Sequence, residues 1–180
     1  MSGTVSESMQ GRCWQFGDDI LNDGGIMDFE MVRTGVFDPA ILGRHCLESL
    51  RADFARDSVP GDIIVTGRNF GRGQLHDAGP FAVRARGVGL ICVSMSRAFF
   101  RLAVSAGLVM IPFAPEIEGR INDGDKLDVN FRSGSIRNLT RNETIQTQPL
   151  PDFLWDFVAA GGEMNWLAKK YGTAAGDAHV

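Results

Sequence analysis

Three short apolar runs, IIVTG, GLICVSM and LVMIPF, alternate with the stretches AVRARGV and SRAFFRLAVSAG, which read as helices. Strand, helix, strand, helix, strand within about 50 residues implies parallel pairing and a sheet covered by its own crossover helices. Gly107 is the expected stop of the second helix, since glycine enters the left-handed conformation at helix ends without a steric penalty.

The flanks have a different rhythm. Upstream, GRCWQF reads as a short strand and GDDILNDGG as a loop rich in Asp, Asn and Gly. FDPAILGRHCLESLRADFARD reads as one helix, with Asp38 as N-cap and Pro39 at its first position. Leu42, Cys46, Leu47, Leu50 and Phe54 share one face of it at helical spacing. Downstream, DKLDVNF, SIRNLTR and ETIQTQPL are short, alternating and separated by turn residues, as antiparallel strands are. The last stretch, DFLWDFVAAGGEMNWLAKK, reads as a helix interrupted at Gly161-Gly162, with Trp155 and Trp166 as packing residues. The expectation is one mixed α/β domain over residues 11–170, with tails at 1–10 and 171–180.

Charge and cysteine usage narrow the partners. A net charge of -4 and a pI near 5.3 give no overall attraction for a polyanion, so a general nucleic-acid binder is not expected. The apolar runs fall well short of the ~20 residues that span a bilayer. The polar start MSGTVSESMQ has no signal-peptide core, which makes a cytoplasmic protein the expectation. Cys13, Cys46 and Cys92 are far apart and form no CxxC. They read as buried free thiols, with no metal or cluster ligands expected in this chain.

Gly67 to Pro80, GRNFGRGQLHDAGP, packs four glycines among charges. Pro80 is tolerated only in a helix's first turn, so a helix should begin near Leu75 to Asp77, with Asp77 as its cap. Gly71 and Gly73 let backbone amides approach a ligand, and the helix start with Arg68 and Arg72 favours an anion, phosphate or carboxylate. The loop is neither a P-loop nor a GxGxxG. A tight turn whose glycines serve only the backbone is the alternative.

The order GDDILND, GDIIVTGRNFGRG, SRAFFRLAVSAGL, INDGDKLDVNFRSGSIRNLT and PLPDFLWDFVAAGG resembles the small subunit of 3-isopropylmalate dehydratase, a swivel domain of the aconitase superfamily. The resemblance covers roughly Gly11 to Lys170 and is most specific at the NFG-x-G loop. It implies an α/β fold of the swivelling β/β/α type. It also implies removal and re-addition of water on a hydroxy-carboxylic acid. The partner would be a large subunit carrying a [4Fe–4S] cluster that acts as Lewis acid.

The loop departs from the family pattern NFG-x-GSSREHAP. Asn69, Phe70, Gly71, Gly73 and Pro80 match, while the two serines become Gln74 and Leu75, the arginine becomes His76, and the Glu-His pair becomes Asp77 and Ala78. In the family the serines supply the base and neighbouring contacts, and the arginine clamps a substrate carboxylate. Gln74 is a poor base, and Leu75 cannot take a proton. Histidine is the only side-chain type of the loop that ordinarily titrates near neutrality. His76 is therefore the expected substitute, as acid or base or as carboxylate contact; a solvated helix-start histidine is the alternative. Asp23 matches the aspartate of the family's GDNIDTD loop that faces the active site, or is an ordinary turn residue. The resemblance gives Arg68, Asn69, Gly71, Arg72, Gly73 and Gln74 as substrate contacts.

Two further departures concern specificity. GGIMDFEMVRT replaces an Ile-Ile-Pro segment that shapes substrate choice, adding Asp28 and Glu30, which suggests a substrate with fewer carboxylates. On the later helix two family asparagines are Leu102 and Ser105, while Arg97, Phe99 and Arg101 persist. Three functions stay open: an active hydro-lyase subunit with altered substrate, a non-catalytic regulatory or partner-binding subunit, and an independent phosphate-ligand module.

Overall fold

In the computed structural model, which describes residues 5–35, 37–74 and 76–172, β1 (Ser8–Gln15) lies inside a seven-stranded sheet. On one side β2 (Ile63–Thr66), β3 (Gly89–Cys92) and β4 (Met110–Ile111) follow in parallel. On the other, β5 (Lys126–Asn130), β6 (Ser135–Asn138) and β7 (Glu143–Gln146) follow antiparallel. Every residue of β2 and β3 is buried, whereas β5 alternates. The two sequence rhythms thus became the two halves of one sheet. β1 joins them: Cys13 registers with Ile63 on one side, and Gly11 with Leu127 on the other.

The helices are α1 (Phe29–Arg33), α2 (Pro39–His45), α3 (Ala52–Asp57), α4 (Ala78–Arg86), α5 (Arg97–Ala106), α6 (Asp152–Ala159) and α7 (Glu163–Tyr171). Asp38 caps α2, accepting from the Ala40 N–H at 2.8 Å. Gly107 ends α5 at φ +73, and Gly161-Gly162 separates α6 from α7. Trp155 is buried, and Trp166 packs on Phe157 with ring centroids 4.8 Å apart.

Several boundaries differ from the sequence reading. The single helix expected from Asp38 onward is two, broken where Leu47 takes φ +56 and donates its N–H to Ile26 O at 2.8 Å. Leu50, expected on the buried face, is 46% exposed in that break. The first strand starts at Ser8, so Ser8 to Gln10 belong to the sheet rather than to a tail, and Tyr171 closes α7. Of the expected tails, residues 1–4 and 173–180 lie outside the described residues, as does Leu75. Among the described residues no helix is long and apolar enough to cross a membrane.

Candidate functional site

The carboxyl ends of β1, β2 and β3 point the same way, so the chain leaves all three at one end of the sheet. That end is where open parallel sheets gather ligand-facing loops. The loop after β1 and the glycine loop after β2 are laced together by backbone bonds. Asp19 N–H donates to Arg68 O (2.7 Å), Gly71 N–H to Ile20 O (2.9 Å), and Asn22 N–H to Arg72 O (2.9 Å). The segment after β3 closes the third side: Phe70 N–H donates to Ser94 O (3.1 Å), and the Ser96 hydroxyl to Gly71 O (2.7 Å). Ser96 also accepts from the Phe99 N–H as the cap of α5.

This lacing brings two sequence candidates into contact from 53 positions apart. His76 Nδ1 lies 2.6 Å from Asp23 Oδ2. The Asp23 side chain is only 4% exposed and the His76 side chain 56%, so the carboxylate stands behind the ring and the ring faces outward. Asp23, read from the sequence as matching an aspartate that faces the active site, here stands behind the His76 ring. A carboxylate on Nδ1 makes that nitrogen the donor, so in the neutral tautomer Nε2 is the nitrogen with the lone pair. A base held by a third group is the general arrangement of an activated proton acceptor.

The other candidates are placed differently. Asn69 sits at φ +57 with its side chain donating to Asp19 Oδ1 at 3.0 Å. Gly71, at φ +71, lies against the Phe99 ring, and a Cβ there would run into it. Its amide is given to Ile20 O, and its missing side chain serves the packing of the loop. Gly73 (φ +91) and Gln74 are exposed, and among the described residues their N–H groups have no backbone acceptor. Arg68 pairs with Glu118 at 2.6 Å, and Arg72 donates to Asp19 O at 3.2 Å; both arginine side chains are more than half exposed. Asp77 occupies the N-cap position of α4 but makes no side-chain cap bond. Asp28 and Glu30 are committed locally: Asp28 caps α1, and Glu30 pairs with Arg33. Arg97 and Arg101 are exposed on α5.

The sequence reading missed Asn22. Its side chain is fully buried, and its Nδ2 donates to both Asp23 Oδ1 (2.7 Å) and His76 O (3.0 Å). Only the fold reveals this, because one partner is 54 positions away.

Among the described residues no side-chain cluster suits a metal centre: no three His, Cys, Asp or Glu side chains gather to hold an ion. Cys13, Cys46 and Cys92 are buried, and burial chiefly pushes each thiol up to about 12. Buried, protonated thiols on separate elements do not fit an iron–sulfur cluster, which is ligated by thiolates.

Comparison with known proteins gives a consistent result. No family model matches. The chain is 36% identical to a 3-isopropylmalate dehydratase small subunit of Thermodesulfovibrio yellowstonii over 163 residues, covering 90% of this chain and 95% of the relative. It is 38% identical to the small subunit of that name from Moorella thermoacetica, covering 92% and 98%. An isopropylmalate/citramalate isomerase small subunit of Methanocaldococcus jannaschii is 36% identical, covering 90% and 95%. The crystal structure of 3-isopropylmalate dehydratase from the last organism superposes with a TM-score of 0.83 at 30% identity, covering 91% of this chain and 95% of that one.

Proposed function

Because the chain belongs to the 3-isopropylmalate dehydratase small-subunit family, sharing its swivel fold, we propose that it is the small subunit of an aconitase-type hydro-lyase. It would close over a separate large subunit and act on a small hydroxy-carboxylic acid. The observation that carries the reading is the Asp23–His76 pair at 2.6 Å, with the ring turned outward. In dehydration the C–H bond beside a carboxylate breaks and its electron pair forms the C=C bond, as the neighbouring C–O bond breaks and hydroxide leaves to be protonated to water. Nε2 of His76 accepts the proton from carbon, and Asp23 stabilises the resulting imidazolium through Nδ1–H. In hydration the same N–H returns the proton, so the pair ends each cycle as it began. While protonated, the ring is also a contact for a substrate carboxylate, the part left open by the missing loop arginine.

The rest of the surface supports an altered substrate. Arg68 and Arg72 already have acidic or carbonyl partners, so this chain offers a carboxylate less free positive charge than its loop composition suggests. The backbone N–H groups of Gly73 and Gln74 supply neutral donors instead. The substrate is therefore a hydroxy acid presenting few carboxylates to this side. The [4Fe–4S] cluster is assigned to the large subunit, since the thiols of this chain do not fit it, and no step here runs through them. Three free cysteines suit the reducing cytoplasm. Neither nucleic acid nor membrane is assigned as a partner.

The test is His76→Ala in the complex reconstituted with a cluster-bearing large subunit, assayed by absorbance of the unsaturated acid. Loss of a proton-transfer group should lower kcat by about 10²- to 10⁴-fold. A loss below threefold, about 0.7 kcal/mol, would remove His76 from the mechanism.

A further inference from the structure

We propose that Asn22 is a positioning residue that fixes the Asp23–His76 pair, acting through the Asp23 carboxylate and the His76 main chain without touching substrate. The inference rests on the reading of that pair given above. Asp23 has two oxygens and each has its own partner: Oδ1 accepts from Asn22 Nδ2 at 2.7 Å, and Oδ2 faces His76 Nδ1 at 2.6 Å. Asn22 thereby sets the rotation of the carboxylate and so the direction in which Oδ2 is presented. The second Nδ2 proton goes to His76 O at 3.0 Å, so the same amide also holds the backbone that carries the ring. Asn22 is itself tied at both backbone ends, its N–H to Arg72 O (2.9 Å) and its O to the Met27 N–H (3.1 Å).

The choice of residue points the same way. Asn22 Oδ1 is buried with no hydrogen-bond partner. An orphaned buried acceptor costs about 1–3 kcal/mol, so a group placed for stability alone would avoid it. A serine or threonine hydroxyl has a single proton to give and serves one of the two acceptors. An uncharged side chain that donates twice from one rigid plane must be a carboxamide. The seat is cut to match: Gly79 in α4 lies against Asn22 Oδ1, and a Cβ there would overlap it.

The full-length chain, labelled with ¹⁵N, provides a readout independent of turnover. In the wild type the His76 Nδ1–H should appear as a slowly exchanging downfield proton, and the two Asn22 Nδ2 protons should be protected from solvent. Asn22→Ala should abolish the slow His76 signal with the far-UV circular dichroism unchanged. Gly79→Ala keeps the amide but drives it from its seat, and should do the same. In the reconstituted complex each variant should lower kcat by about 10- to 100-fold, the scale of a misplaced reacting group, with KM moved less than about threefold. A retained His76 Nδ1–H signal in either folded variant would overturn the proposal. So would Asn22 amide protons exchanging at the solvent rate in the wild type, an outcome that needs no variant to fold. A small effect of His76→Ala on turnover strikes the base assignment alone, since the spectra decide the role of Asn22 separately.

Discussion

Gly71, singled out as a loop glycine, carries a packing requirement of its own. Its place in the NFG-x-G loop suggests an amide kept bare for a ligand. In the fold its amide donates to Ile20 O, and its missing side chain makes room for the Phe99 ring. Two costs therefore stack on Gly71→Ala: about 1–2 kcal/mol for a left-handed non-glycine residue and about 1–3 kcal/mol for overpacking. Gly119 has the same φ of +71 but open space around its Cα, so Gly119→Ala should pay only the first. Urea unfolding of both variants tests this, and equal losses would show that Phe99 does not set the requirement. His76 and Asp23 were legible as candidates because one is the loop's only imidazole and the other sits in a motif-like turn. Their contact was not, because hydrogen bonds across 53 positions leave no local pattern.

At the scale of elements, periodicity misleads where a tertiary bond overrides it. The apolar spacing from Leu42 to Phe54 is helical throughout, and no Gly or Pro marks a stop between His45 and Ala52. The chain nonetheless breaks there, and Leu47 turns its N–H to Ile26 O, tying the α2–α3 junction to the loop that carries Asp23. Arg51, at the start of α3, fastens the junction from the other side. Its guanidinium bonds Asp53 and Asp123 and reaches Gln15 O. The hydrogen bond from Arg51 holds the Asp53 carboxyl down to about 2. Burial pushes Asp123 up, but bonds from Arg51 and the Gln15 N–H outweigh it and leave that carboxyl below its usual range. An unfolded aspartate takes its proton near 4, so below about pH 4 the unfolded chain binds more protons than the folded one, and this stabilisation fades as pH falls towards 2. The stability difference between wild type and Arg51→Ala should therefore be full at pH 7 and shrink steadily from pH 4 to pH 2. A difference that stays constant over that range would mean that packing on Trp14, whose ring centroid lies 5.0 Å from the Arg51 guanidinium, is the larger effect.

For the whole molecule, the division into a parallel and an antiparallel half was legible because wholly buried strands read as apolar runs and half-buried strands alternate. That β1 serves both halves was not, since pairing order depends on how the chain crosses over. The same topology delivers the loops after β1, β2 and β3 to one end, where the His76 ring stands open to a second surface. The central claim is that this surface completes a hydro-lyase site with a large subunit, despite the lost loop serines and arginine. It is tested most directly by assaying dehydration of hydroxy acids by a cluster-loaded large subunit, alone and with this chain added under anaerobic conditions. Turnover that requires the chain, saturates at a fixed stoichiometry and collapses with His76→Ala is the predicted result. A complex that forms but leaves turnover at the level of the large subunit alone would contradict the account and make the chain a non-catalytic partner.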